Sequence, residues 1–283
     1  MFRLPAMTQT SSGASAEQPG SPRVAVITGA GSGIGAAIAR RLGKRGFRLI
    51  LGGRTPGNLS AVASEIRAAG GQAEAITADV TLASDVERLI AAAGPKLDAL
   101  IHSAGQGHCL TIDEIDEEEF RQTLDVAVMG AFLTTKAALP ALRASTNGPG
   151  HVIQIASLAS GGTWYREVGY GTAKGAQLKF ALHLAEQFKQ EAQAGGRTVY
   201  VHAICPGTVD TPFWARVPER TIDPQLCLRA DEVAWLVEGV IDSPLATAED
   251  FSGRKPRPEV VVKRHAPYER WSNVIAIAHE SHP

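Results

Sequence analysis

Between residues 23 and 263 short apolar runs alternate with longer segments whose apolar positions recur every three or four residues. The apolar runs are too short for helices and rich in valine and isoleucine. Residues 23–29, 47–54, 72–80, 97–105, 151–155, 197–207 and 258–263 therefore read as strands. The segments 36–46, 58–69, 84–93, 116–144, 170–194 and 231–241 read as helices. In 116–144, Phe120, Leu124, Val128 and Phe132 fall at helical spacing, a stripe we read as core or subunit contact.

Alternation of strand and helix implies right-handed crossovers and a parallel sheet covered on both faces. The expected fold is α/β: a doubly wound, Rossmann-like parallel sheet in three α/β/α layers, a single domain over 23–263. Residues 208–228 lack periodicity and are expected to form a substrate loop or lid. Residues 1–22 are rich in Ser, Thr, Gly, Ala, Gln and Pro, without the apolar core of a signal peptide; we read them as a mobile leader, with Met7 an alternative start. The tail 264–283 carries Trp271, His279 and His282 and is expected to pack on a neighbour or fray.

The first strand runs directly into Thr28, Gly29, Gly33 and Gly35, with Ser32 and Ile34 between them. Glycines between a strand and a helix permit a tight turn and let backbone N–H groups approach a pyrophosphate at the helix N-terminus. Some twenty residues later the second strand ends at Gly53 and Arg54, where an acidic residue would accept from ribose hydroxyls. Arginine there suits a 2′-phosphate, so NADP(H) is favoured over NAD(H). Asp79 and Val80 close the third strand, and Ser103, Ala104 and Gly105 close the fourth. Asp79 suits either the adenine amino group or the capping of its own turn.

The fifth strand delivers Ser157, and Tyr170 and Lys174 follow on a helix, four residues apart and so on one face. A nearby ammonium would stabilise the phenolate and pull Tyr170 below its usual pKa of ~10, with Ser157 polarising a carbonyl. Beyond the next strand, Pro206, Gly207, Thr208, Val209 and Thr211 are placed to fold over a nicotinamide. Ala159, Trp164, Tyr165, Phe213 and Trp214 point to an apolar or ring-containing substrate.

Composition is that of an ordinary soluble enzyme, with 44% hydrophobic and 20% charged residues and a net charge of −1, so neither nucleic acid nor a membrane is an expected partner. No continuous apolar run reaches about 18 residues. Cys109, Cys205 and Cys227 lack metal-ligand spacing, so no metal is expected and a reducing, cytoplasmic setting fits.

In order and spacing, Thr28-Gly29-x-x-x-Gly33-x-Gly35, Asp79-Val80, Ser157, Tyr170-x-x-x-Lys174 and Pro206-Gly207 with Thr211 resemble the short-chain dehydrogenase/reductase family over about residues 23–262. The likeness is not to its extended branch, whose larger C-terminal substrate domain has little room here. It implies a nicotinamide cofactor, reversible carbonyl and alcohol chemistry on a small molecule, and a homo-oligomer, dimer or tetramer. In this picture Ser157 holds the substrate oxygen, Tyr170 exchanges the proton, and Lys174 binds the nicotinamide ribose and lowers the tyrosine pKa. Two departures stand out. The family's Asn-Asn-Ala-Gly is His102-Ser103-Ala104-Gly105, and its helix asparagine, which helps position a relay water, falls on Ala127. The alternative to an oxidoreductase is therefore a non-catalytic NADP(H)-binding regulator or sensor with the same fold.

Overall fold

The computed structural model describes residues 21–217, 222–244, 251, 260–264 and 274–279. Its frame is a sheet in the order β3-β2-β1-β4-β5-β6-β10-β9. These strands are β1 (Val24–Thr28), β2 (Arg48–Gly53), β3 (Gln72–Thr77), β4 (Ala99–His102), β5 (Gly150–Ile155), β6 (Val199–Pro206), β9 (Val260–Arg264) and β10 (Val274–His279). Two short strands, β7 (Val209–Asp210) and β8 (Leu228–Arg229), pair separately. All pairings in the large sheet are parallel except β9 with β10.

β1 shows why the sheet is buried on both sides. Ala25 and Ile27 point to one face, where they join the apolar sides of α1 (Gly33–Lys44), α2 (Pro56–Ala68) and α7 (Ala230–Asp242). Val26 points to the other, toward α3 (Ala83–Ala91), α5 (Gly130–Arg143) and α6 (Val168–Gln193). The period of two along a strand needs apolar residues at every position when both faces are covered. Strand order reverses at β1, whose end pairs Thr28 with Gly52 on one side and His102 on the other. A crevice opens at such a reversal, beyond the carboxyl ends of the strands.

Two expectations are corrected. The helix expected over 116–144 is α4 (Glu117–Leu124), a π-helical stretch Asp125–Met129, and α5. Phe120, Leu124 and Val128 are only half-buried and Phe132 is 39% exposed, so the stripe is not core. A four-residue repeat drifts about 40° per step around a helix of 3.6 residues per turn, so it cannot stay on one face. The buried positions are small, among them Ala127, Gly130, Ala131 and Ala138, which lets the helix approach the sheet closely. By length and composition Glu117–Arg143 could also cross a membrane, but it packs in this helix layer and opens on Glu117, Glu118 and Glu119.

The second correction is at the C-terminal end. The strand beside β6 is Val274–His279, within the segment expected to fray, and the expected final strand lies outside it, antiparallel, as the edge. An uninterrupted Val-Ile-Ala-Ile-Ala run suits a position paired on both sides, whereas Lys263 and Arg264 suit an edge. Residues 1–20 of the leader expected over 1–22, loop residues 218–221 and tail residues including Trp271 and His282 lie outside the described residues.

Desolvation holds the buried imidazoles of His102, His151 and His202 well below their usual 6.5, at about 3, about 4 and about 3. His151 and His202 stack at 5.9 Å on β5 and β6. Because the unfolded chain takes up these protons first, stability should be complete above about pH 6.5. It should fall as pH drops toward 4, by up to ~1.4 kcal/mol per pH unit for each imidazole. Urea unfolding at pH 7 and pH 5 measures the loss. His202→Phe should flatten it, and an equal slope in the variant would refute the assignment.

Candidate active site

The crevice is a cleft of about 880 Å³, lined by the residues singled out from the sequence for catalysis, cofactor or substrate except Thr28, buried behind it, and Tyr165, which is 83% exposed.

At one end β1 turns into α1. Gly29 has φ +64°, and a Cβ there would lie 2.9 Å from the Ala104 backbone, so the turn requires glycine. Thr28 Oγ1 accepts hydrogen bonds from Ser103 N and Ala104 N, each at 3.1 Å, tying β1 to the end of β4. The α1 N-cap, Ser32, makes no side-chain cap, and no acidic residue occupies the first turn. These open N–H groups at the cleft floor fit a dinucleotide pyrophosphate. Arg54 stands exposed on the rim and donates to Gln106 Oε1 at 3.1 Å. Asp79 Oδ1 accepts from Thr81 N at 2.9 Å and Thr81 Oγ1 at 2.8 Å, the local turn that the sequence allowed as one of its two uses.

At the other end, a capping box at Ser157–Ser160 places the Ser157 hydroxyl. Its Oγ accepts from Ala159 N at 3.1 Å, and Ser160 Oγ accepts from Ser157 N at 3.2 Å. Tyr170 enters on the first turn of α6 and packs against Phe213 at 5.8 Å. Gly107 is obligatory beneath it, because a Cβ there would lie 2.6 Å from the tyrosine ring. Phe213 meets Trp214 edge-on at 5.3 Å, and Trp214 Nε1 donates to Val209 O at 2.8 Å, so the expected lid residues are anchored at the cleft mouth.

The electrostatics overturn one expectation. Enclosure by protein pushes Tyr170 up to about 12; a hydrogen bond with Ser157 opposes this, and the Glu167 carboxylate adds to it. Lys174 is not among the groups that lower it. Its Nζ lies 5.9 Å from the Tyr170 ring centroid and donates instead to Ile155 O at 2.8 Å and Gln177 Oε1 at 2.9 Å. Burial brings Lys174 down to about 8. Four-residue spacing put the two side chains on one face, but backbone and side-chain acceptors deeper in the fold hold the amine.

Ala127 is buried in the π-helical stretch. Beside it, His102 Nε2 meets Val126 O at 3.3 Å; a carbonyl only accepts, so Nε2 carries the proton and Nδ1 accepts from Thr28 or Thr134 hydroxyls, at 3.3 and 3.4 Å. The sequence reading missed Gln106, Gln154 and Gln177. Gln177 was detectable as a polar residue in register with Ala173, Leu178 and Ala181 on the buried face of α6.

The family described as short chain dehydrogenase matches residues 23–221. The short-chain reductase protein NovJ of Streptomyces niveus is 36% identical over 200 residues, covering 70% of this chain and 73% of that protein. A variant of the actinorhodin polyketide ketoreductase, solved with NADPH, superposes with a TM-score of 0.70 at 28% identity, covering 79% of this chain and 91% of its own. A short chain dehydrogenase/reductase from Burkholderia phymatum, solved with NAD, superposes with a TM-score of 0.70 at 26% identity, covering 78% and 86%. The chain belongs to the short chain dehydrogenase family and is an NAD(P)-dependent oxidoreductase.

Proposed function

We propose that the protein reduces a ketone or aldehyde with an apolar or ring-containing body, using NADPH. The observation that carries this reading is the convergence of Ser157, Tyr170 and Lys174 on one cleft wall, with the Tyr170 phenol kept protonated. A phenol held well above neutral pH carries the proton that carbonyl reduction consumes. When bound, the nicotinamide supplies the hydride. Ser157 Oγ accepts from Ala159 N and the Ser157 hydroxyl also hydrogen-bonds that of Tyr170, which sets the two hydroxyls side by side to meet one substrate oxygen. Tyr170 then passes its proton to that oxygen as negative charge develops on it, and Lys174, on the same cleft wall, would hold the nicotinamide ribose. Trp164, Phe213 and Trp214 form the apolar part of the wall.

The test is NADPH consumption, followed by absorbance, across aliphatic, aromatic and polycyclic ketones and aldehydes. Turnover restricted to small charged carbonyls would count against the substrate class, and tight NADPH binding without turnover would favour the sensor.

Preference for NADP(H) rests on the exposed Arg54 guanidinium on the rim. Arg54→Asp is expected to reverse the preference, weakening NADPH by at least ~10-fold through lost charge-assisted bonds and repulsion while tightening NADH. Equal affinities for both cofactors in the unaltered protein would overturn it. The exposed Met129 and Phe132 on the π-stretch and α5, with Phe132 edge-on to Phe180 at 6.5 Å, support a homo-oligomer through the α5–α6 face. Buried cysteines without a disulfide among the described residues support a reducing, cytoplasmic location.

A further inference from the structure

Behind Lys174 lies a chain of buried amides that the reaction outlined above does not use. Lys174, Gln177 and Gln154 are 5%, 0% and 0% exposed. Lys174 Nζ donates to Gln177 Oε1 at 2.9 Å, and Gln177 Nε2 donates to Gln154 Oε1 at 3.0 Å. The direction of this chain is forced. An ammonium only donates, so the Gln177 oxygen must face it, its NH₂ must face Gln154, and the Gln154 oxygen must accept. Gln154 Nε2 is then left without a hydrogen-bond partner among the described residues. Packing alone would be served better by leucine at both positions, since a stranded buried donor is costly and an apolar side chain of similar size is not.

What the two amides serve is the amine. Among the described residues no carboxylate pairs with Lys174; its acceptors are Ile155 O, at the end of β5, and Gln177. The position from which the family's asparagine would act is Ala127, which offers no polar side chain. The titratable groups that act electrically on Lys174 or share its surroundings are His102 on β4, Cys205 on β6, and Tyr170 on its own helix. His102 is neutral at physiological pH, and burial pushes the Cys205 thiol up to about 12, so neither supplies a counter-charge.

We propose that Gln177, oriented by Gln154, is the positioning residue for Lys174: its carbonyl oxygen keeps the amine protonated and fixed at the end of β5, a task Ala127 cannot perform. The proposal rests on the reading that Lys174 works with Tyr170. Its test is chosen to report on the amine without turnover. Lysine labelled with ¹³C at Cε, with the Lys174 signal identified by its loss in Lys174→Met, gives the ionisation midpoint in the cofactor-free protein. The unaltered protein should titrate near pH 8, below its exposed lysines. Gln177→Leu should lower the midpoint by about one pH unit or more, as expected for losing a hydrogen bond to a charged group, and Gln177→Glu should raise it. Should Gln177→Leu unfold because Gln154 is stranded, the double variant Gln154→Leu/Gln177→Leu restores an apolar pair and must show the lowered midpoint. An unchanged midpoint in either folded variant overturns the proposal. A shifted midpoint in a protein whose turnover ignores Tyr170 would uphold Gln177 and sink the catalytic reading instead.

Discussion

Tyr170→Phe should lower carbonyl reduction at least ~10²-fold, the usual contribution of a positioned general acid. The substitution keeps the ring against Phe213 and over Gly107 and removes only the hydroxyl that Ser157 bonds. NADPH affinity, measured by energy transfer from tryptophan to the dihydronicotinamide, should change little. The loss should therefore fall on kcat. Turnover equal to that of the unaltered protein would remove the phenol from the chemistry, and with it the proposed mechanism.

Run backwards, the reaction should depend steeply on pH. Alcohol oxidation requires the phenolate, and a group whose pKa stands near 12 supplies about tenfold more of it for each pH unit gained below that value. The oxidation rate should therefore rise about a hundredfold between pH 6 and pH 8, while reduction, which uses the protonated phenol, stays level over the same interval. Initial rates of NADP⁺ reduction at saturating alcohol measure this. A profile already level from pH 6 to pH 8 would show that the phenol has ionised below that range, and the protonated phenol would be lost from the mechanism.

The contrast between the two ends of the cleft shows why some of it was legible. The β1–α1 turn is made by neighbours in sequence: an apolar strand, glycines that tolerate positive φ, and a helix start without acids. Such local chemistry can be read from spacing alone. The same holds for Ser157, Tyr170 and Lys174, whose strand end and helical spacing brought them to one wall. The pKa of Tyr170 was not legible, because its largest cause is enclosure by protein that spacing does not report. Nor was the partner of Lys174, since Gln154 and Gln177 are separated by 23 positions and meet only when α6 packs on β5.

By itself the sequence determined the alternation of strands and helices, the turn into α1, and which residues would gather at the strand ends, because each depends on contacts between near neighbours or on periodic burial. Only the tertiary structure decided that β10 lies beside β6 with β9 at the edge, that the helix before β5 passes through a π-helical stretch, and that the lysine's hydrogen bonds turn inward, away from the tyrosine. These outcomes depend on which apolar faces compete for the same sheet and on how much water is excluded from each polar group, quantities that exist only once the chain has packed.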